Sequence, residues 1–178
     1  SPKLVLFDHG LYSFNHLSEE MMERMLPEME KRFTAPLELN SRELAKKGIK
    51  GGELMVYGNI PMMVTAQCMK KTLEGCTGKP ELLYMKDRMG KEFPVKNHCR
   101  FCYNTIYNSS PLSLLADREA VERLGPSVLR LSFTTERPER IRQAVRAFAD
   151  VFCKEEGDAA AAQLSGEFTR GHFRRGAE

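Results

Sequence analysis

The chain has no run of about eighteen apolar residues, the length that a membrane-crossing helix needs, so no membrane span and no membrane partner are expected. It also has no G-x-S-x-G turn and no H-E-x-x-H pair, which removes the serine elbow of the α/β hydrolases and the zinc helix of the metalloproteases. Charge of one sign is scarce: 27 Lys and Arg against 24 Asp and Glu leave +3. That balance permits contact with phosphate without arguing for it. Tryptophan is absent from an otherwise ordinary globular composition, 42% hydrophobic and 29% charged. The 178 residues suffice for one domain with a real core, and 1–178 is read as a single domain. Cysteines number only five, an odd and unevenly spaced set that makes a poor disulfide framework. They favour a reducing, cytoplasmic setting. An initial methionine is lacking too. Ser1 leads almost directly into the first element, as in a piece excised from a longer chain, and the lack of a leader then says nothing about targeting.

What the chain does have is a middle third, Glu53–Pro111, that carries four of the cysteines: Cys68, Cys76, Cys99 and Cys102. Thiolates gathered in this way suit an iron–sulfur or other metal site. The Cys99-x-x-Cys102 spacing lets two sulfurs reach one centre from a single turn, and Lys70, Lys71, Lys96 and Arg100 add positive charge in the same stretches. Zinc would use the same residues. Free, partly buried thiols are the remaining reading. His98 is read as a neighbouring donor or surface residue rather than a ligand.

Along the chain, Lys3–Asp8 (KLVLFD) reads as a strand buried on both faces. A helix is expected from Ser18, with Met21, Met22, Met25 and Met29 as a core-packing stripe and Pro27 as its end. Pro36–Asn40 (PLELN) reads as a second strand, Ser41–Lys47 as a short helix capped by Ser41, and Glu53–Tyr57 as a third strand. Alternation then stops over 58–112, an insertion with a hairpin (Leu82–Met85, Glu92–Val95) turning at Gly90. It resumes with a helix at Asp117–Leu124, a strand at Val128–Phe133, and a helix from Pro138 with Ile141, Val145, Phe148 and Phe152 in register. Ala159–Ala162 reads as a turn of helix or a linker. The expected class is α/β: half of a TIM-like β/α barrel with a cysteine-bearing hairpin insertion at the carboxyl end of a strand. Half a barrel leaves strand edges exposed, to pair with a second copy or with a missing N-terminal half.

Several of these segments resemble peptidase family U32, the collagenase-like peptidases. The resemblance runs from about Leu11 to the end. It rests on TAPLELN, VYGNIPMM, DRMGKEFPV, CRFCYNTIYNSSPL and the closing FTRGHFRRG, in that order. It implies the C-terminal half of a larger enzyme whose N-terminal half completes a barrel-like domain. It also implies a [4Fe–4S] cluster, on Cys68, Cys76, Cys99 and a fourth ligand, Cys102 in preference to Cys153. Family members with such clusters are similar to oxygen-independent hydroxylases of tRNA, rRNA or a quinone precursor, while others carry the name of protease. The expected function is therefore iron–sulfur-dependent RNA hydroxylation in the parent protein. A collagenase-like peptidase is the rival, and a zinc-stabilised or metal-free RNA- or protein-binding domain is the non-catalytic alternative.

Two further sets are candidates. His9, Glu38 and Asn40 follow the first two expected strands, where a pocket would open. Glu38 would point opposite to Leu37 and Leu39, and as a buried carboxylate it would need a partner. In the basic tail, Arg170, His172, Arg174 and Arg175 alternate with Phe168 and Phe173. Arginines suit phosphate and aromatics suit unpaired bases, so RNA or another substrate could bind there. The plainer reading is a docked terminal segment whose arginines pair with acids.

Overall fold

The computed structural model describes residues 3–154 and 164–175, so the Ala159–Ala162 expectation lies outside the described residues. β1 (Leu4–Phe7) leads through a 3-10 turn into α1 (His16–Met25). Asn15 caps that helix by accepting the Ser18 amide at 3.0 Å, so it opens two residues before Ser18. β2 (Glu30–Phe33) runs parallel to β1, from Leu4 opposite Glu30 to Phe7 opposite Phe33.

The strand expected at Pro36–Asn40 is not formed. Leu37–Leu39 turn instead, and the strand is the preceding EKRF. Backbone pairing decided this. Thr34 donates to the Phe7 carbonyl and Ala35 to the Glu53 carbonyl, at 2.8 and 2.7 Å. Pro36 then supplies no N–H to continue the ladder. The alternation argument for Glu38 falls with the strand.

Thr34 forms a parallel bridge to Glu53, the first residue of β3 (Glu53–Gly58), and β3 pairs in parallel with β9 (Val128–Ser132). Parallel neighbours thus follow the order β1, β2, β3, β9. Among the described residues these strands do not close into a barrel; the arrangement is mixed α/β. β3 is buried at every position, and its final Gly58 adopts φ +137° where an added Cβ would lie 2.1 Å from the Ser132 carbonyl oxygen. β8 (Leu112–Ser113) covers that end in antiparallel register.

Around β3 and β9 pack α2 (Ser41–Lys47), α4 (Arg118–Leu124) and α5 (Pro138–Cys153), with Leu44, Val56, Tyr57, Val121, Ala144 and Phe148 in the core. The buried face of α5 is Ala144, Ala147, Phe148 and Val151, while Val145 is 45% exposed. Phe148 is buried and Phe152 packs against the core as expected, but Ala144, Ala147 and Val151 complete that face in place of Val145. The methionine stripe is also corrected. α1 buries no residue, and Met21 and Met25 stand 68% and 69% exposed.

The insertion forms its own antiparallel sheet, ordered β4 (Pro61–Thr65), β7 (Tyr103–Tyr107), β6 (Glu92–His98), β5 (Leu82–Lys86). The expected hairpin is β5–β6, turning at Gly90 with φ +83°. Between β4 and β5 lies α3 (Met69–Leu73). Among the described residues no helix is long and apolar enough to cross a membrane.

Candidate metal centre

Three segments bring four cysteines to one place. Cys68 precedes α3, and Cys76 sits in the glycine-punctuated loop between α3 and β5. Cys99 and Cys102 bound the four-residue turn of the β6–β7 hairpin, with Cys102 at φ +53°. All four line a single cavity of about 440 Å³ together with Lys71, Asn97, His98 and Tyr103. All five cysteines are free thiols; Cys153 ends α5, exposed, and is not among the residues lining the cavity.

The thiols are near enough to feel one another. Partial burial, then the neighbouring Cys68, Cys76 and Cys102 and the Glu81 carboxylate, push the Cys99 thiol above its ordinary pKa. Cys99 Sγ donates to the Lys79 carbonyl at 2.9 Å. Among the described residues, no three His, Cys, Asp or Glu side chains converge tightly enough to hold a single metal ion. Lys70 is bound to Glu74 and to Glu81, the latter at 3.3 Å, so its charge is met locally.

His98, in the cavity lining, has two contacts of its own. Its Nε2 meets Thr105 Oγ1 at 3.2 Å, and its ring stacks on Tyr103 with centroids 4.3 Å apart. Phe101, 69% exposed at the tip of the turn, lies 6.4 Å from Tyr103 and carries the Arg100 guanidinium over its ring at 5.4 Å. An aromatic and cationic row therefore stands on the rim beside Cys99 and Cys102.

The pocket candidates separate. His9 Nδ1 meets Asp8 Oδ1 at 2.7 Å, and the same oxygen accepts from Arg130 Nη1 at 2.6 Å. Arg130 Nε continues to Glu53 at 2.5 Å, and Glu53 accepts the Thr34 hydroxyl at 2.9 Å. His9 thus borders a charged network spanning the four parallel strands. Asn40, and not the expected Ser41, caps α2, in a reciprocal capping box with Glu43. Glu38 has one carboxylate oxygen buried without a partner among the described residues.

The tail returns to the body. Thr169 exchanges backbone hydrogen bonds with Pro111 and Ser113, and Phe173 is buried. Arg170 and Arg174 both bind Asp117, at 2.8 Å from Nε of Arg170 and 2.7 Å from Nη2 of Arg174. For these two arginines the docked arrangement is what the structure displays. His172 and Arg175 are exposed.

The sequence reading overlooked Asn97 and Asn104, which stand two residues before Cys99 and two after Cys102. A symmetric N-H-C-x-x-C-Y-N string was the available signal, because in a four-residue hairpin turn those asparagines must face each other. It overlooked Arg130 and Asp117 as well, whose partners Asp8 and Arg170 lie 122 and 53 residues away. Compared with models of protein families, with curated proteins and with solved structures, the chain matches none.

Proposed function

We propose that Cys68, Cys76, Cys99 and Cys102 hold an iron–sulfur cluster, and that the chain is the C-terminal part of a U32-type enzyme that hydroxylates tRNA or rRNA. The observation that carries the metal reading is the convergence of all four thiols on one cavity from three separate segments. The donor set fits the group, because iron–sulfur clusters are held by thiolates. A single tetrahedral zinc needs four sulfurs at about 2.3 Å from one point. A cubane gives each thiolate its own iron, so a shared cavity suffices. When bound, such a cluster would supply one-electron redox chemistry. The chain's own residues would supply thiolates and present the rim.

The rim supports RNA as the substrate class. Phe101, the exposed end of the His98–Tyr103–Phe101 row, offers a stacking face for unpaired bases, and Arg100 and Lys71 offer phosphate contacts beside the sulfurs. The peptidase alternative gains nothing comparable, since Nε2 of His98 is taken up by the Thr105 hydroxyl. The parallel order β1, β2, β3, β9 supports the half-barrel reading, as do Leu4, Leu6, Met21 and Met25, apolar residues left uncovered on β1 and α1. An N-terminal half, or a second copy, would cover them.

Anaerobic reconstitution with iron and sulfide tests the metal reading. A broad visible band with about four irons per chain, abolished by Cys99→Ser and retained in Cys153→Ser, is the expected result. A colourless chain that binds one zinc would replace the cluster with a structural ion. Salt-sensitive binding of single-stranded RNA, weakened at least tenfold by Phe101→Ala with Arg100→Ala, tests the rim. Equal binding by that variant would remove the RNA assignment.

A further inference from the structure

Asn97 and Asn104 face each other across the β6–β7 ladder, on the pair next but one to the cysteine turn. They are 1% and 0% exposed. Each commits one amide atom to a different cysteine-bearing segment. Asn97 Oδ1 accepts from the backbone N–H of Glu81, at the end of the loop that carries Cys76. Asn104 Nδ2 donates at 2.7 Å to the carbonyl of Gln67, the residue before Cys68. These backbone partners fix both amide orientations, because a flip would set N–H against N–H and oxygen against carbonyl. The other two atoms, Asn97 Nδ2 and Asn104 Oδ1, are buried without a partner among the described residues. Asn97 lines the cysteine cavity. A buried amide N–H without an acceptor is costly, and cluster sulfurs are acceptors whose hydrogen bonds help set the reduction potential.

We propose that this asparagine pair positions the metal centre: it braces the Cys68 and Cys76 segments to the Cys99–Cys102 hairpin, and the free N–H of Asn97 donates to a sulfur of the bound cluster. The inference rests on the iron–sulfur reading above. It divides the labour between the two side chains. Asn104 braces only, whereas Asn97 both braces and donates.

The test uses the full chain as wild type, Asn97→Leu and Asn104→Leu. Iron and zinc affinity are measured by chelator competition, and the midpoint potential of the reconstituted centre by redox titration. Both variants are expected to lose roughly 10- to 100-fold in metal affinity, as the loss of a residue that orients a ligand does. Only Asn97→Leu should also lower the potential, by about tenfold in the one-electron equilibrium, or about 59 mV. If Asn97→Leu does not fold, Asn97→Asp keeps an acceptor for Glu81 and removes the donor. Its carboxylate also adds a negative charge that lowers the potential by itself, so it is compared with Asn104→Asp, and a shift no larger than that of Asn104→Asp would refute the donated bond. A wild type that loads while both leucine variants match it in affinity and potential overturns the inference and leaves the cluster standing. A wild type that takes up neither iron nor zinc overturns the metal reading, and the inference goes with it.

Discussion

Arg130 ties three parallel strands through one guanidinium, and its removal should be felt across the sheet. Nη1 reaches Asp8 beyond β1, Nη2 lies 3.4 Å from the Thr34 hydroxyl, and Nε reaches Glu53 at the start of β3. The Glu53 side chain is 7% exposed, Arg130 23% and Asp8 57%. The Asp8 arm is solvent-screened and contributes at most about 1 kcal/mol. The Glu53 arm matters more. Without Arg130 the carboxylate keeps only the Thr34 hydroxyl, and stranding a buried charge costs about 3–5 kcal/mol. Arg130→Met should therefore destabilise by roughly 3–4 kcal/mol in urea unfolding, at the lower end because the arginine is partly wet. Glu53→Gln with Arg130→Met should recover much of that loss, since a neutral pair strands nothing, giving a coupling of about 1–3 kcal/mol. Faster amide exchange in β1 and β2 should accompany the single change. A loss below about 1 kcal/mol, or strict additivity in the double variant, would refute the network as a structural tie.

Other outcomes follow from single contacts. Gly58→Ala places a methyl 2.1 Å from the Ser132 carbonyl in a backbone region hostile to side chains, and should cost about 3 kcal/mol or more by thermal melting. Gly90→Ala, whose nearest contact is a flexible Lys86 carbon at 3.7 Å, should cost only about 1 kcal/mol and serves as the control. Burial would raise the Asp8 pKa, but the Arg130 hydrogen bond and the His9 and Arg130 charges outweigh it and hold the carboxyl below its ordinary 3.8. Its contribution is thus complete above about pH 4 and is lost as pH falls through the lower folded value. The stability gap between wild type and Asp8→Asn should shrink over that descent in urea midpoints. Asp117→Asn removes the charge that anchors Arg170 and Arg174. Both arginines are well exposed, so about 1 kcal/mol is expected, with faster trypsin cleavage in the tail. Unchanged cleavage would show that Phe173 and Thr169 hold the tail unaided.

Most of the elements were legible along the chain, because their signals are local. Pro138 fixed the start of α5, Gly90 the hairpin, Gly48 the end of α2, and the apolar runs fixed β3 and β9. It also fixed the four cysteines as a group, since thiolates are chemically distinct wherever they fall. Tertiary structure decided which surfaces meet. The strand beside β1 proved to be the charged Glu30–Phe33 rather than Pro36–Asn40, because parallel pairing is made by backbone groups that side-chain alternation does not report. On α5 two alanines and Val151 share the buried face with Phe148, and α1 buries no residue. Arg130 and Asp117 found partners far away in the chain, and Asn97 and Asn104 joined three loops into one cavity. Spacing in sequence carries periodicity and chemistry; the partner of a buried polar atom is set by the packing that surrounds it.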